Sequence, residues 1–195
     1  MRADSRYKDR AFTLVELMIV VAIIGVLAAL GMYGVSRYLA GAKTAEAKNS
    51  VGSISRAAAS AFEREIGGAE ILAVGGSSAG FSHELCTSAA PVPIAPPVGT
   101  KYQPSETDWY GATEQEGWRC LKFAIVAPIY YQYRYERGTN AGVPDAPAIS
   151  ATGFEAAAVG DLDGDGVLSG FSRGGNVVGG QLVLSTQIHI HQEYE

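Results

Sequence analysis

Charge, cysteine and catalytic motifs are all scarce in this 195-residue chain, and each scarcity closes a class of function. Charged residues make up 18%, the formal net charge is −5, and no run of five basic residues occurs. The electrostatic footprint of a nucleic-acid binder is therefore missing, and no specific nucleic-acid site is expected. Cys86 and Cys120 are too few for a disulfide scaffold and lack CxxC spacing, which leaves no redox or metal motif of that kind. They are either one structural bridge or two separate buried thiols. No GxSxG, HExxH or GxxxxGK[ST] pattern occurs, and the acidic residues have no companion base, so the chain reads as a non-enzyme without catalytic residues. Glycine, by contrast, is plentiful, with 24 residues where usage of ~7% would give about half as many. The length fits one globular domain with something attached.

What is attached lies at the amino terminus. Residues 1–11 carry Arg2, Arg6, Lys8 and Arg10 against Asp4 and Asp9. From Leu17 to Val35 the sequence LMIVVAIIGVLAALGMYGV holds no charge, and at about 1.5 Å per residue it crosses most of a ~30 Å hydrocarbon core. The basic residues ahead of it predict a single pass with a cytoplasmic start. A secretory signal is the competing reading, but its apolar core is shorter and ends at a cleavage site followed by a polar chain. Glu16 sits at the head of the run, where a carboxylate in lipid calls for a partner.

The string FTLVELMIVVAIIGVLAAL, Phe12 to Leu30, closely resembles the class III signal of type IV pilins and pseudopilins. That pattern has a short basic leader, a cut just before Phe, a Glu four residues on, and an apolar helix. The resemblance implies cleavage by a prepilin peptidase between Ala11 and Phe12, methylation of the new amino group of Phe12, and contact of Glu16 with the positive amino terminus of a neighbouring subunit. An unpaired carboxylate and an unpaired ammonium in a filament core are each costly, whereas together they offset one another and fix the stagger. The family usually has Gly before the cut where this chain has Ala11, and often Pro where it has Tyr33. Gly25, Gly31 and Gly34 are the weak points of this helix instead, each costing about 1 kcal/mol against Ala.

Past Val35 the pattern turns amphipathic: Tyr38, Ala42, Ala45, Val51, Ile54, Ala58, Phe62 and Ile66 recur at three- and four-residue spacing, predicting a helix from Phe12 to Ile66 stopped by Gly67 and Gly68. Its halves are 12–35, apolar, and 36–66, amphipathic. Residues 67–120 read as a Gly/Pro-rich loop region, with five prolines between Pro91 and Pro104; Trp109, Tyr110 and Trp118 argue that it is ordered. A bridge between Cys86 and Cys120 ties this loop to the first strand. Residues 121–195 read as an antiparallel sheet: Leu121–Val126, then Ile129 to Tyr135 with a tyrosine face, Phe154–Val159, Val167–Ser172 and Gln181–Ile190. The fold class is α+β, a long helix on an antiparallel sheet, which is also what the resemblance implies.

Asp161, Asp163 and Asp165, with Gly166, the Val167 carbonyl and Ser169, reproduce the first nine positions of an EF-hand calcium loop. Position twelve is Ser172, not Glu, and no helices flank it, so the expectation is a weaker calcium loop between strands, with a plain Asp/Gly turn as the alternative. His189 and His191, two apart on a strand, project from one face and are a weaker metal candidate.

The reading is a structural subunit of a type IV pilus or related filament, serving motility, adhesion or DNA uptake. Its partners are identical or related pilin subunits in a homo-oligomeric helical filament, the prepilin peptidase, an inner-membrane assembly platform, and membrane lipid before assembly. It is located in the bacterial inner membrane, then in a cell-surface or periplasm-spanning filament. The alternatives are a pseudopilin of a type II secretion system and a monomeric membrane-tethered calcium-binding protein.

Overall fold

The computed structural model describes residues 12–64, 74, 83–110 and 116–195. The leader with Ala11, and Ile66, Gly67 and Gly68, lie outside the described residues. Two compact units are present, Met1–Ala40 and Gly41–Glu195, and helix α1, Leu14–Glu63, contributes to both.

In the first unit α1 is uncharged from Leu17 to Val35 and exposed on every side, from Leu14 at 73% to Leu39 at 53%. It is long and apolar enough to cross a membrane. Tyr38, expected on the buried stripe, is exposed.

In the second unit α1 buries Thr44, Ala47, Val51, Ile54, Ser55, Ala58, Ala61 and Phe62. The stripe follows the expectation from Val51 onward, but upstream it runs through Thr44 and Ala47 rather than Ala42 and Ala45, which are exposed. Counting back from Val51 in alternating steps of four and three reaches Ala47 and Thr44. Thr44 is tolerated inside because its hydroxyl donates to the Gly41 carbonyl at 2.9 Å; Ser55 does the same to Val51 at 2.8 Å.

These residues pack on one face of a six-stranded antiparallel sheet of order β1-β2-β3-β4-β5, with β6 also paired to β4. The strands are β1 Ala89–Val92, β2 Gln132–Arg137, β3 Phe154–Gly160, β4 Ser169–Val178, β5 Gln181–Leu184 and β6 His189–His191. The tyrosine face is as expected, although the strand begins at Gln132 rather than Ile129: Tyr131, just before β2, and Tyr133 and Tyr135 within it are fully buried beneath α1. They fit because β3 sets small residues beside them, Ala158 opposite Tyr133 and Ala156 opposite Tyr135. Burial pushes all three phenols well above the ordinary tyrosine range. Glu46 fastens helix to sheet, its Oε1 accepting from the Tyr130 backbone N–H at 3.0 Å and the Tyr133 hydroxyl at 3.2 Å.

Three expectations are corrected. The region 67–120 is not wholly irregular, since it holds β1, a 3-10 turn at Glu106–Trp109 and helix α2, Gly117–Leu121. β1 accommodates Pro91 because it is an edge strand, where a missing N–H breaks no ladder on its open side. Leu121–Val126 is not a strand. Leu121 ends α2, Lys122 caps it in the left-handed region at φ 54°, and 123–126 continue without regular structure. Gln181–Ile190 is two strands rather than one, β5 and β6, which flank successive stretches of β4. β4 and β5 turn through Gly179 and Gly180 at φ +62° and +81°, a two-residue hairpin open only to residues without a Cβ penalty.

Cys86 and Cys120 are bridged, with their Cα atoms 5.8 Å apart. The bridge ends on α2 rather than on a strand. Trp109, Trp118 and Phe123 stack edge-on and tilted beside it, with ring centroids 5.2 to 5.8 Å apart. The Trp118 indole donates to the Ala90 carbonyl at 2.7 Å and the Trp109 indole to Ile125 at 3.0 Å. Among the described residues of this segment, these aromatics form a packed cluster.

Candidate functional site

Two places carry chemistry-bearing residues: the start of α1 and the β3–β4 connection. At the first, Phe12 is 79% exposed and α1 opens at Leu14. Both the backbone N–H and the hydroxyl of Thr13 donate to Glu16 Oε2, at 2.8 and 3.0 Å, and the Glu16 backbone N–H donates to Thr13 Oγ1 at 3.2 Å. This reciprocal pairing is a capping box, with a carboxylate placed where the helix dipole is positive. The carboxylate expected to meet a neighbour's amino terminus thus has a partner within its own chain. The Thr-x-x-Glu spacing of Thr13 and Glu16 is the sequence signal for this box.

The β3–β4 connection, between Gly160 and Ser169, brings Asp161, Asp163 and Asp165 together with carboxylate oxygens all within 4.8 Å. Asp161 is buried, Oδ1 accepting from the Gly164 N–H at 2.6 Å and Oδ2 from the Gly166 N–H at 3.0 Å. Asp163 Oδ1 accepts from the Asp165 N–H at 3.2 Å, and Asp165 Oδ1 from the Val167 N–H at 2.7 Å. Asp163 and Asp165 are exposed, and each keeps its second oxygen off these turns. Gly166, at φ +92°, permits the tight return. Ser169 is buried at the head of β4, its hydroxyl donating to the Gly160 carbonyl at 2.9 Å. Val167 is 38% exposed. The loop is anchored to 97–99, the Gly99 N–H donating to the Asp161 carbonyl at 2.8 Å.

His189 and His191 do lie on one strand, β6, but they are engaged with the β2–β3 connection. His189 Nε2 is 2.9 Å from the Pro144 carbonyl and His191 Nδ1 is 3.7 Å from Asp145 Oδ2. Among the described residues they join no cluster of three metal-ligating side chains.

Residues 6–32 match the family model for the prokaryotic N-terminal methylation motif. The match supports a class III signal of the type IV pilin and pseudopilin kind, on a chain whose α+β arrangement is pilin-like. The match covers 27 of the 195 residues, and the apolar helix it runs into is consistent with membrane anchoring. Comparison with curated proteins and with solved structures gives no match.

Proposed function

We propose that the chain is a structural subunit of a type IV pilus or a related filament. It is stored in the bacterial inner membrane through α1, with its amino terminus cytoplasmic. Prepilin peptidase then cuts it between Ala11 and Phe12, and an inner-membrane platform assembles it with identical or related subunits. The observation that carries this reading is the methylation motif leading directly into a helix whose apolar side chains are all uncovered from Leu14 to Leu39. Such a surface is stable only in lipid or against other helices, and Gly25, Ala28, Ala29 and Gly31 let helices approach closely. Sheared filaments should contain a chain that begins at Phe12 and carries one added methyl, by intact mass. Filaments retaining residues 1–11, or a processed protein that never leaves the membrane, would overturn the reading; the second result favours the monomeric tethered protein.

The Asp161–Ser169 loop is proposed to hold calcium. The donor set fits: three carboxylates converge, Asp163 and Asp165 present oxygens to solvent, and hard oxygen ligands suit a hard cation. When bound, the ion would neutralise charges that otherwise repel across a connection joining two central strands.

A further inference from the structure

The sheet face turned away from α1 is covered by the β2–β3 connection. Ala141 and Val143 pack on Ala157 and Val159 there. The cover seats closely because β4 offers glycines: a Cβ on Gly170 would meet Val143 at 2.7 Å, and one on Gly174 would meet Ile149 at 2.3 Å. Between this cover and the stretch entering β6 lies a cavity of about 660 Å³, within the size range of small-molecule sites.

Two buried polar side chains line it. Glu155 is 1% exposed, and its Oε2 accepts from the Ala141 N–H at 2.5 Å while Arg134 donates to the Ala141 carbonyl at 3.0 Å. Ala141 is thereby held at both its N–H and its carbonyl, in the two peptide groups that flank its Cα, which accounts for Oε2 and for Arg134. Oε1 has no hydrogen-bond or ionic partner among the described residues. Ser172 is likewise 1% exposed, and its hydroxyl has no partner among the described residues. In the β3–β4 register Glu155 stands opposite Gly174 and Ser172 opposite Ala157, so the two are diagonal neighbours on one face. The rest of the lining mixes apolar residues, Ile149 and Ile188 among them, with Asn176, Ser185, Thr186 and Gln187, and His189 Nε2 lies 2.9 Å from the Pro144 carbonyl.

Glu155 Oε1 and Ser172 Oγ are not sealed in, the Tyr131 hydroxyl being the buried side-chain group without a partner among the described residues; a carboxylate oxygen that opens into a partly apolar cavity favours a cation with hydrogens to give. Glu155 is the only carboxylate in the lining, which does not suit a calcium or magnesium ion requiring six or more oxygens. We infer that this cavity binds a small organic ammonium. The ammonium donates to Glu155 Oε1 and Ser172 Oγ, and the apolar body of the ligand packs on the apolar part of the lining, Ile149 and Ile188 included.

The test uses the full chain in lipid nanodiscs, with backbone amide shifts read during titration with phenethylammonium and, separately, with its neutral isostere 2-phenylethanol. Saturable shifts at Ser172, Gly174 and His189 are expected for the amine, at least tenfold weaker for the alcohol. Glu155→Gln keeps an acceptor for the Ala141 N–H and should erase the difference between the two probes. Ser172→Ala leaves the Glu155 contact intact and should weaken the amine by several-fold while preserving its advantage, so the proposal stays testable if the first variant misfolds. Shifts confined to α1, equal affinity for the two probes, or an undiminished preference in Glu155→Gln would overturn it.

Discussion

Glu16 has one carboxylate and two claimants. In the single chain it takes the Thr13 N–H and hydroxyl; in the proposed filament it takes the ammonium of a neighbour's Phe12. The first arrangement keeps the charge capped while the helix waits, and the second exchanges those neutral donors for a charged one when lipid is left behind. Two variants separate the roles. Glu16→Gln retains a capping-box acceptor and loses the charge, whereas Glu16→Ala loses both. Both should accumulate normally in the membrane, where removing a carboxylate lowers insertion cost, and both should yield few or no filaments by electron microscopy. Normal filament number in Glu16→Gln would show that the capping bonds, and not the charge, are what assembly requires.

At the scale of elements, β2 and α2 make the clearest predictions. Burial raises the phenols of Tyr131, Tyr133 and Tyr135, so only the unfolded chain releases their protons near the ordinary pKa of about 10. The stability they contribute is complete below that pH and is lost as pH rises beyond it. Titrated from pH 8 upward, these three of the ten tyrosines should stay protonated until the sheet unfolds, phenolate absorbance and loss of β-structure rising together. Tyr133→Phe should flatten the alkaline slope. Reducing Cys86–Cys120, which closes a separation of 34 residues, should cost about 4 kcal/mol by the chain-entropy estimate, read as a lower denaturant midpoint; no change on reduction would mean that the bridge does not constrain the unfolded chain. These elements were unequally legible in the sequence. Alternation of Tyr131, Tyr133 and Tyr135 announces a strand because period two has one meaning. Leu121–Val126 misleads because a short apolar run fits a buried helix end as well as a strand, and only the bridge at Cys120 and the indole bond from Trp118 decide between them. Thr44 is not legible as a core position because its burial depends on a hydroxyl bond to Gly41 that hydropathy does not register. The acidic loop could be read from spacing alone, while the Glu155 and Ser172 pair could not, since residues 155 and 172 become neighbours only through the β3–β4 register.

For the molecule as a whole, every residue of the sheet's core lies within Gly41–Glu195, a compact unit of its own. A truncated protein beginning at Gly41 should therefore stay soluble without detergent and melt in one cooperative step by calorimetry; a requirement for detergent would show that the first unit is needed for folding. In that protein, calcium at ten times its dissociation constant should add about 1.4 kcal/mol, a rise of roughly 3–5 °C. Chelator should reverse it, magnesium should substitute poorly, and Asp161→Ala with Asp163→Ala should abolish the shift. Identical melting in calcium and in chelator would leave the loop as a hydrogen-bonded turn. The sheet's rims bear on a hazard that any crowded β-protein faces. One rim, β1, carries Pro91 and is followed by Pro93, so two amide hydrogens are missing where an incoming strand would dock. The other is divided between β5 and β6 by Ser185–Ile188 and presents no run longer than four residues. Neither rim offers a template long enough for ladder pairing, so copies packed side by side are kept from zipping into amyloid-like ribbons, and cohesion between them is left to helices that hold their backbone hydrogen bonds internally.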